Sequence, residues 1–206
     1  MSAPRLGLFG GTFDPVHNAH LFVAESARVA LALDRIVFLP TNGSAHYRSR
    51  SVASAADRLA MLRAALAPNP HFALDDADLA PESTGYTADV LPRLRERYGD
   101  AALTFIAGND SLLESPWQRF GDVLAALDAF AIAPRAGREP ASLQGFIAGL
   151  PPQDRNKIVV LDLPALNESS TFVRAQAARG GNVRYLVPDA VARYIAEHEL
   201  YRTASA

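Results

Sequence analysis

Six short apolar runs, 6–9, 35–39, 72–74, 103–107, 129–133 and 158–161, recur along this chain with helical patterns between them. Strands alternating with segments long enough to serve as crossover helices restrict the chain to an α/β architecture, a doubly wound and mostly parallel sheet. Such sheets take up ligands outside the carboxyl ends of their strands. The spacing predicts helices over 21–30, 54–66, 87–98, 142–149, 171–179 and 188–197, the last of them forming a small C-terminal helical portion. Ser54 and Thr87 are expected as N-caps. Pro188 suits a first helical turn, whereas Pro92 should kink its helix or shift the start. With no internal repeat, heptad run or low-complexity linker, residues 1–206 read as one domain.

Composition closes several routes. The 206 residues are 49% hydrophobic and 20% charged, with a formal net charge of −2. That is ordinary for a globular chain large enough to bury its own core. It lacks the broad basic footprint of a nucleic-acid binder. No apolar run approaches the ~20 residues that span a bilayer. The absence of cysteine excludes disulfides, thiolate nucleophiles and Cys-ligated zinc. Because Met1-Ser2-Ala3-Pro4 leads almost directly into the first strand, no room is left for a leader, and a cytoplasmic location is expected.

Chemistry concentrates where the first strand meets the first helix, in Gly10-Gly11-Thr12-Phe13-Asp14-Pro15-Val16-His17-Asn18-Ala19-His20. Glycines allow close backbone approach, and a helix N-terminus favours an anion. His17 and His20, at i and i+3, can share one face, so the segment suits a polyphosphate. It has neither the Gly-Lys-Ser/Thr ending of a Walker loop nor a Gly-x-Gly-x-x-Gly fingerprint. It resembles the His-x-Gly-His signature of the nucleotidyltransferase superfamily. The longer Gly-Gly-Thr-Phe-Asp-Pro-Val-His form is similar to that of the nicotinate-nucleotide adenylyltransferase family. Ala19 departs from that pattern by replacing a glycine.

A second anion site follows the sixth run. In Asn167-Glu168-Ser169-Ser170-Thr171-Phe172-Val173-Arg174, Ser169 or Ser170 can cap a helix, and Arg174 can fold back toward the same phosphate. This run resembles the superfamily's Ile-Ser-Ser-Thr-x-x-Arg signature. Glu168 stands at the isoleucine and, lying ahead of the cap, is expected to turn outward.

The resemblance extends over nearly the whole chain and implies a Rossmann-like nucleotidyltransferase fold. It implies ATP contacts from Gly10, Gly11, Thr12, Phe13, Ser170 and Thr171, with His17, His20 and Arg174 as the catalytic cations. The loop of residues 40–48 resembles the family's Pro-Pro-His-Lys loop and brings Asn42 and His46 to the acceptor. Gly85-Tyr86-Thr87 and the stretch from Gly108 and Asp110 to Trp117 resemble its selectivity segments. Tyr86, Thr87, Asp110 and Trp117 are therefore expected around the acceptor, and Arg135 beside them. From composition alone Trp117 could equally be core and Asp110 a helix cap. The C-terminal 186–202 also resembles the family and reads there as structural.

The activity so implied is transfer of AMP from ATP to nicotinate mononucleotide in NAD biosynthesis. No serine or cysteine intermediate is needed, because a phosphate monoester is itself a nucleophile. No carboxylate cluster has metal-site spacing, so Mg²⁺ is expected to be held mainly by ATP phosphates and water. The substrates implied are small molecules, with no nucleic-acid or membrane partner. Two other readings stay open: another small nucleotidyltransferase such as a phosphopantetheine adenylyltransferase, or a non-catalytic nucleotide sensor.

Overall fold

The computed structural model describes residues 3–41, 52–80, 82–114, 117–134 and 140–202. Its six strands are β1 (Arg5–Gly11), β2 (Arg35–Pro40), β3 (Phe72–Leu74), β4 (Ala102–Gly108), β5 (Ala129–Ala133) and β6 (Ile158–Val160). Around them lie α1 (Asn18–Ala30), α2 (Ala55–Leu66), α3 (Thr87–Tyr98), α4 (Asn109–Glu114) and α5 (Phe120–Ala125). The described helices continue with α6 (Pro140–Gly149), α7 (Pro152–Arg155), α8 (Ser170–Ala178) and α9 (Asp189–Glu197). One sheet contains all six strands in the order β3-β2-β1-β4-β5-β6, and every pairing is parallel. The strand order reverses beside β1, which makes the β1/β4 boundary the switch point where such sheets bind ligands.

Two apolar layers explain the double winding. Leu6 and Leu8 of β1 pack with Leu91 and Leu94 of α3 and with Val123 and Leu124 of α5. Phe9 points the other way, with Ile36, Phe38 and Ile106, toward Ala24, Ala27, Met61, Leu62, Val173, Val191 and Ile195. This alternation follows from the two-residue period of a strand. Gly7 holds the centre of β1 because a Cβ there would lie 2.6 Å from Ile36 Cδ1 and 2.8 Å from Leu33 Cδ1.

Local expectations need adjustment at three prolines and caps. Ser54 does cap α2, accepting from the Asp57 backbone N–H at 3.1 Å. The residue capping α3, however, is Tyr86, and Thr87 is the first helical residue. The helix α3 runs unbroken through Pro92, neither restarted nor divided there. Burial of Val90, Leu91 and Leu94 on one stripe outweighs the single hydrogen bond a proline removes. Pro188 sits at the N-cap of α9 and so precedes its first turn.

Candidate active site

The described residues enclose a cleft of about 450 Å³ over the carboxyl ends of the central strands, a size ordinary for small-molecule sites. Gly10, Gly11 and Thr12 line it at the end of β1, Leu39 and Thr41 at the end of β2, Ala107 and Gly108 at the end of β4, and Ala133 and Pro134 at the end of β5. Its position at the switch point therefore comes directly from the topology.

At one end, His17 caps α1 and is 3% exposed, while His20 lies on the helix's first turn, half-buried, and both line the cleft. Their rings stack at 3.7 Å between centroids. The His17 backbone N–H donates to His20 Nδ1 at 3.2 Å. That nitrogen is thus an acceptor, and the ring's proton belongs on Nε2. The bond to Nδ1 orients the His20 ring within the first turn of α1. Ala19 also lines the cleft.

Phe13 does not join the lining. Its ring is 1% exposed and meets His20 edge-on at 5.0 Å, between Phe9 and Phe38. Phe13 also takes φ +49°, a left-handed conformation that costs a bulky residue energy and persists only when packing enforces it. The side chain thus supports the histidine from below. Gly10 and Gly11 keep ordinary strand conformations, and space explains them. A Cβ on Gly10 would approach Phe105 Cζ to 2.8 Å, and one on Gly11 would approach Phe13 Cζ to 3.0 Å.

The second anion segment docks on the first. Ser169 caps α8, its hydroxyl accepting from the Phe172 backbone N–H at 3.2 Å. The Ser170 hydroxyl donates to the Pro15 carbonyl at 2.9 Å. Arg174 reaches back to the first loop, donating to the Asp14 carbonyl at 2.6 Å and the Thr171 hydroxyl at 3.2 Å, and neither it nor Ser170 or Thr171 is among the residues that line the cleft. The lining at this end comes from Leu166 and Glu168. Glu168 therefore faces the cleft, against the expectation that it turns outward. The extended chain entering the Ser169 cap carries it over the sheet's carboxyl edge.

At the other end Tyr86, Thr87, Asp110, Ser111 and Trp117 line the cleft. Gly85 enters this corner at φ +74°, which glycine accepts without steric cost. Its backbone N–H donates to the Ser83 hydroxyl at 3.2 Å, and Ser83 in turn donates to Asp78, a buried carboxylate that also lines the cleft. Thr84 donates to Asp89 at 2.5 Å and Arg119 donates to the same carboxylate. The Thr84 hydroxyl, with Arg119 behind it, holds the Asp89 carboxyl below its ordinary value. These bonds fix the loop that presents Tyr86 and Thr87.

Trp117 packs in the core and also borders the cleft. Its indole N–H donates to the Ser111 carbonyl at 3.0 Å, and its ring packs edge-on against Phe105, Phe120 and Phe130. The half-buried ring still lines the cleft. Asp110 lies in the first turn of α4 and also lines the cleft. Asn42, His46 and Arg135 lie outside the described residues.

Two residues beneath the cleft escaped sequence reasoning. Arg58 is 1% exposed and donates to the carbonyls of Thr12 at 2.6 Å and Thr41 at 2.8 Å, joining the ends of β1 and β2. Its signal was its place on an apolar stripe with Met61, Leu62, Ala65 and Leu66, at helical spacing. Tyr201, near the chain's end, donates to the buried Asp14 carboxylate at 2.7 Å. Nothing in its local sequence marks that role.

Fold and cleft together define a nucleotidyltransferase of the α/β type, and a family model described as cytidylyltransferase-like matches residues 8–176. A protein of Thermomicrobium roseum named probable nicotinate-nucleotide adenylyltransferase is 41% identical over 202 residues, 98% of this chain and 94% of that one. The protein of that name in Neisseria meningitidis serogroup B is 40% identical over 202 residues, 96% and 98% of the two chains. Among solved structures, the Plasmodium falciparum nicotinic acid mononucleotide adenylyltransferase complexed with NaAD superposes with a TM-score of 0.77 at 17% identity. That alignment spans 96% of this chain and 97% of the other and shows the shared fold. The chain belongs to the nicotinate-nucleotide adenylyltransferase family of the cytidylyltransferase-like proteins.

Proposed function

We propose that this enzyme transfers AMP from ATP to the phosphate of nicotinate mononucleotide, as its family membership supports. An acceptor phosphate oxygen attacks the α-phosphorus, and the bond from that phosphorus to the bridging oxygen breaks. The electron pair leaves with pyrophosphate, and nicotinate adenine dinucleotide remains. The observation that carries this reading is one continuous cleft with His17 and His20 at one end and Tyr86, Thr87 and Trp117 at the other. Two substrates can meet over the switch point without a covalent enzyme intermediate.

In this reading Gly10, Gly11 and Thr12 lie along the nucleotide, and the His20 Nε2–H donates to charge developing at the α-phosphate. Ser170, Thr171 and Arg174 hold the departing pyrophosphate, and catalysis is positioning plus charge stabilisation. Mg²⁺ supplies charge neutralisation on the phosphates when bound. Among the described residues no group of three or more His, Asp or Glu is arranged to hold a metal. Asp110 and Glu168 in the lining fit an ion carried mainly by ATP and water. No helix of the described residues is long and apolar enough to cross a membrane. From the family membership we assign the reaction to the cytoplasm, and from the one six-stranded sheet we read the chain as a single domain.

The test is pyrophosphate release with ATP and Mg²⁺ and each of nicotinate mononucleotide, nicotinamide mononucleotide and phosphopantetheine, with the product identified. Turnover is expected with the first. ATP binding without release in any mixture would point to a sensor, and turnover with phosphopantetheine alone would reassign the acceptor. On the acceptor side, Trp117→Leu keeps apolar bulk against Phe130 but removes the indole face. It should raise the KM for nicotinate mononucleotide about tenfold, the value of one stacking contact, and leave the KM for ATP unchanged. Equal acceptor KM in the two proteins would return Trp117 to the core.

A further inference from the structure

The C-terminal segments all converge on the first loop. Ser170 bonds Pro15, Arg174 bonds Asp14, and the Asn18 side chain and backbone N–H donate to the carbonyls of Tyr185 at 2.7 Å and Leu186 at 2.9 Å. At the centre is Asp14, 2% exposed. Its Oδ1 accepts from the Tyr201 hydroxyl at 2.7 Å and the Ala53 N–H at 3.3 Å, and its Oδ2 accepts from the Val52 N–H at 2.7 Å. Its own carbonyl accepts from Arg174. One residue thus joins the turn below His17 and His20, the start of the segment leading into α2, the arginine of α8 and the end of the chain.

We infer that Tyr201 is a positioning residue for ATP: its hydroxyl fixes the Asp14 carboxylate, and through Asp14 it sets the turn that carries Thr12 and His17 and the anchor point of Arg174. This rests on the nucleotide-binding reading of the cleft given above.

Three observations favour positioning over simple packing. The bond spans 187 residues of sequence and ends within three residues of His17, where the Tyr201 ring alone would suffice to fill space. Burial, and then the Asp14 charge, push the Tyr201 hydroxyl above the ordinary tyrosine range, so it remains a donor at every working pH. Arg58 braces the same turn at a second point, through the Thr12 carbonyl. A turn held at two points cannot rotate its peptides freely, and catalytic groups displaced by about 1 Å can lose ~10²-fold in rate.

The experiment compares Tyr201→Phe with Tyr194→Phe. Both delete a C-terminal tyrosine hydroxyl bonded to a carboxylate, but Tyr194 bonds Asp57 on the first turn of α2, at 3.0 Å and away from the loop. Calorimetric titration with ATP and Mg²⁺ should show the dissociation constant of Tyr201→Phe raised about tenfold, the worth of one charge-assisted bond, with unchanged stoichiometry. Steady-state kinetics should show kcat lowered with the KM for nicotinate mononucleotide unchanged. Tyr194→Phe should match the wild type in both. A lowered stoichiometry at wild-type affinity would mean partial unfolding, and equal shifts in both variants would mean generic destabilisation. Either result, or wild-type affinity in Tyr201→Phe, overturns the inference. Wild-type protein that binds ATP but releases no pyrophosphate would sink the proposed reaction, while the affinity comparison would still decide the role of Tyr201.

Discussion

Replacing His20 by alanine is expected to lower turnover ~10²-fold or more and to leave the fold intact. The two effects separate because of where the ring sits. Its Nδ1 serves the chain, accepting the His17 N–H at a helix N-terminus. Its other edge belongs to the cleft. Loss of the first contact frees one amide that water can satisfy, a cost of ~1 kcal/mol. Loss of the second removes a preorganised donor aimed at developing charge, which elsewhere is worth ~3–4 kcal/mol of barrier. Pyrophosphate release and a thermal melt on the same preparation distinguish them. Turnover near that of the wild type would remove His20 from the chemistry, and a collapse of the melt would make the residue structural.

Because the Nδ1 role asks only for an acceptor at short reach, His20→Asn should recover stability lost in the alanine variant without recovering rate. Phe13 bears on the same point. Its strained backbone and buried ring fix the imidazole plane from below, so donor direction is set by the fold before any substrate arrives.

The six strands were legible because each is a short apolar run closed by turn residues, and the observed β3 and β5 have the bounds read from sequence. Their order was not legible, since alternation alone leaves open which face each crossover takes. The helix over Thr87–Tyr98 shows how burial competes with local chemistry, as Pro92 argued for a kink or a shifted start, while the helix keeps the start read from sequence and runs on past the proline. Within the first motif, the residue letters suggested a phosphate turn but not which side chains point inward. Phe13 and His20 are seven residues apart and in contact, one under the other, and only the packing of Phe9 and Phe38 decides that. Glu168 was misplaced for a related reason, since the direction of a side chain before a helix cap depends on how the helix docks. Arg58 and Tyr201 act on backbone and carboxylate groups far away in sequence, so no local pattern could report their partners.

The largest stability change should follow from Arg58→Met, which keeps the length and apolar stem of the side chain and deletes its charged head. Two part-buried carbonyls, those of Thr12 and Thr41, then lose a donor, at ~1–3 kcal/mol each when nothing replaces it. Asp14 loses the positive charge that faces it, and a buried carboxylate deprived of its counter-charge is costly. Against this, the guanidinium no longer has to be desolvated, a burden large enough to pull the Arg58 pKa below its ordinary value. The remaining bonds to Asp14 from Tyr201, Val52 and Ala53 also soften the loss. The balance is a destabilisation of ~3 kcal/mol, a large share of the ~5–15 kcal/mol that holds a typical domain. For a chain of this size the melting temperature should fall by roughly 6–12 °C. Urea unfolding should show a lower midpoint at unchanged slope. Arg58→Lys should recover little, because both bonds leave the guanidinium's Nη1, one bond beyond the point that an ammonium nitrogen reaches. Combining Arg58→Met with Asp14→Asn provides the decisive comparison. If the arginine acts partly by balancing Asp14, the double variant will be less unstable than the sum of the singles, whereas strict additivity would leave backbone bridging as its whole contribution.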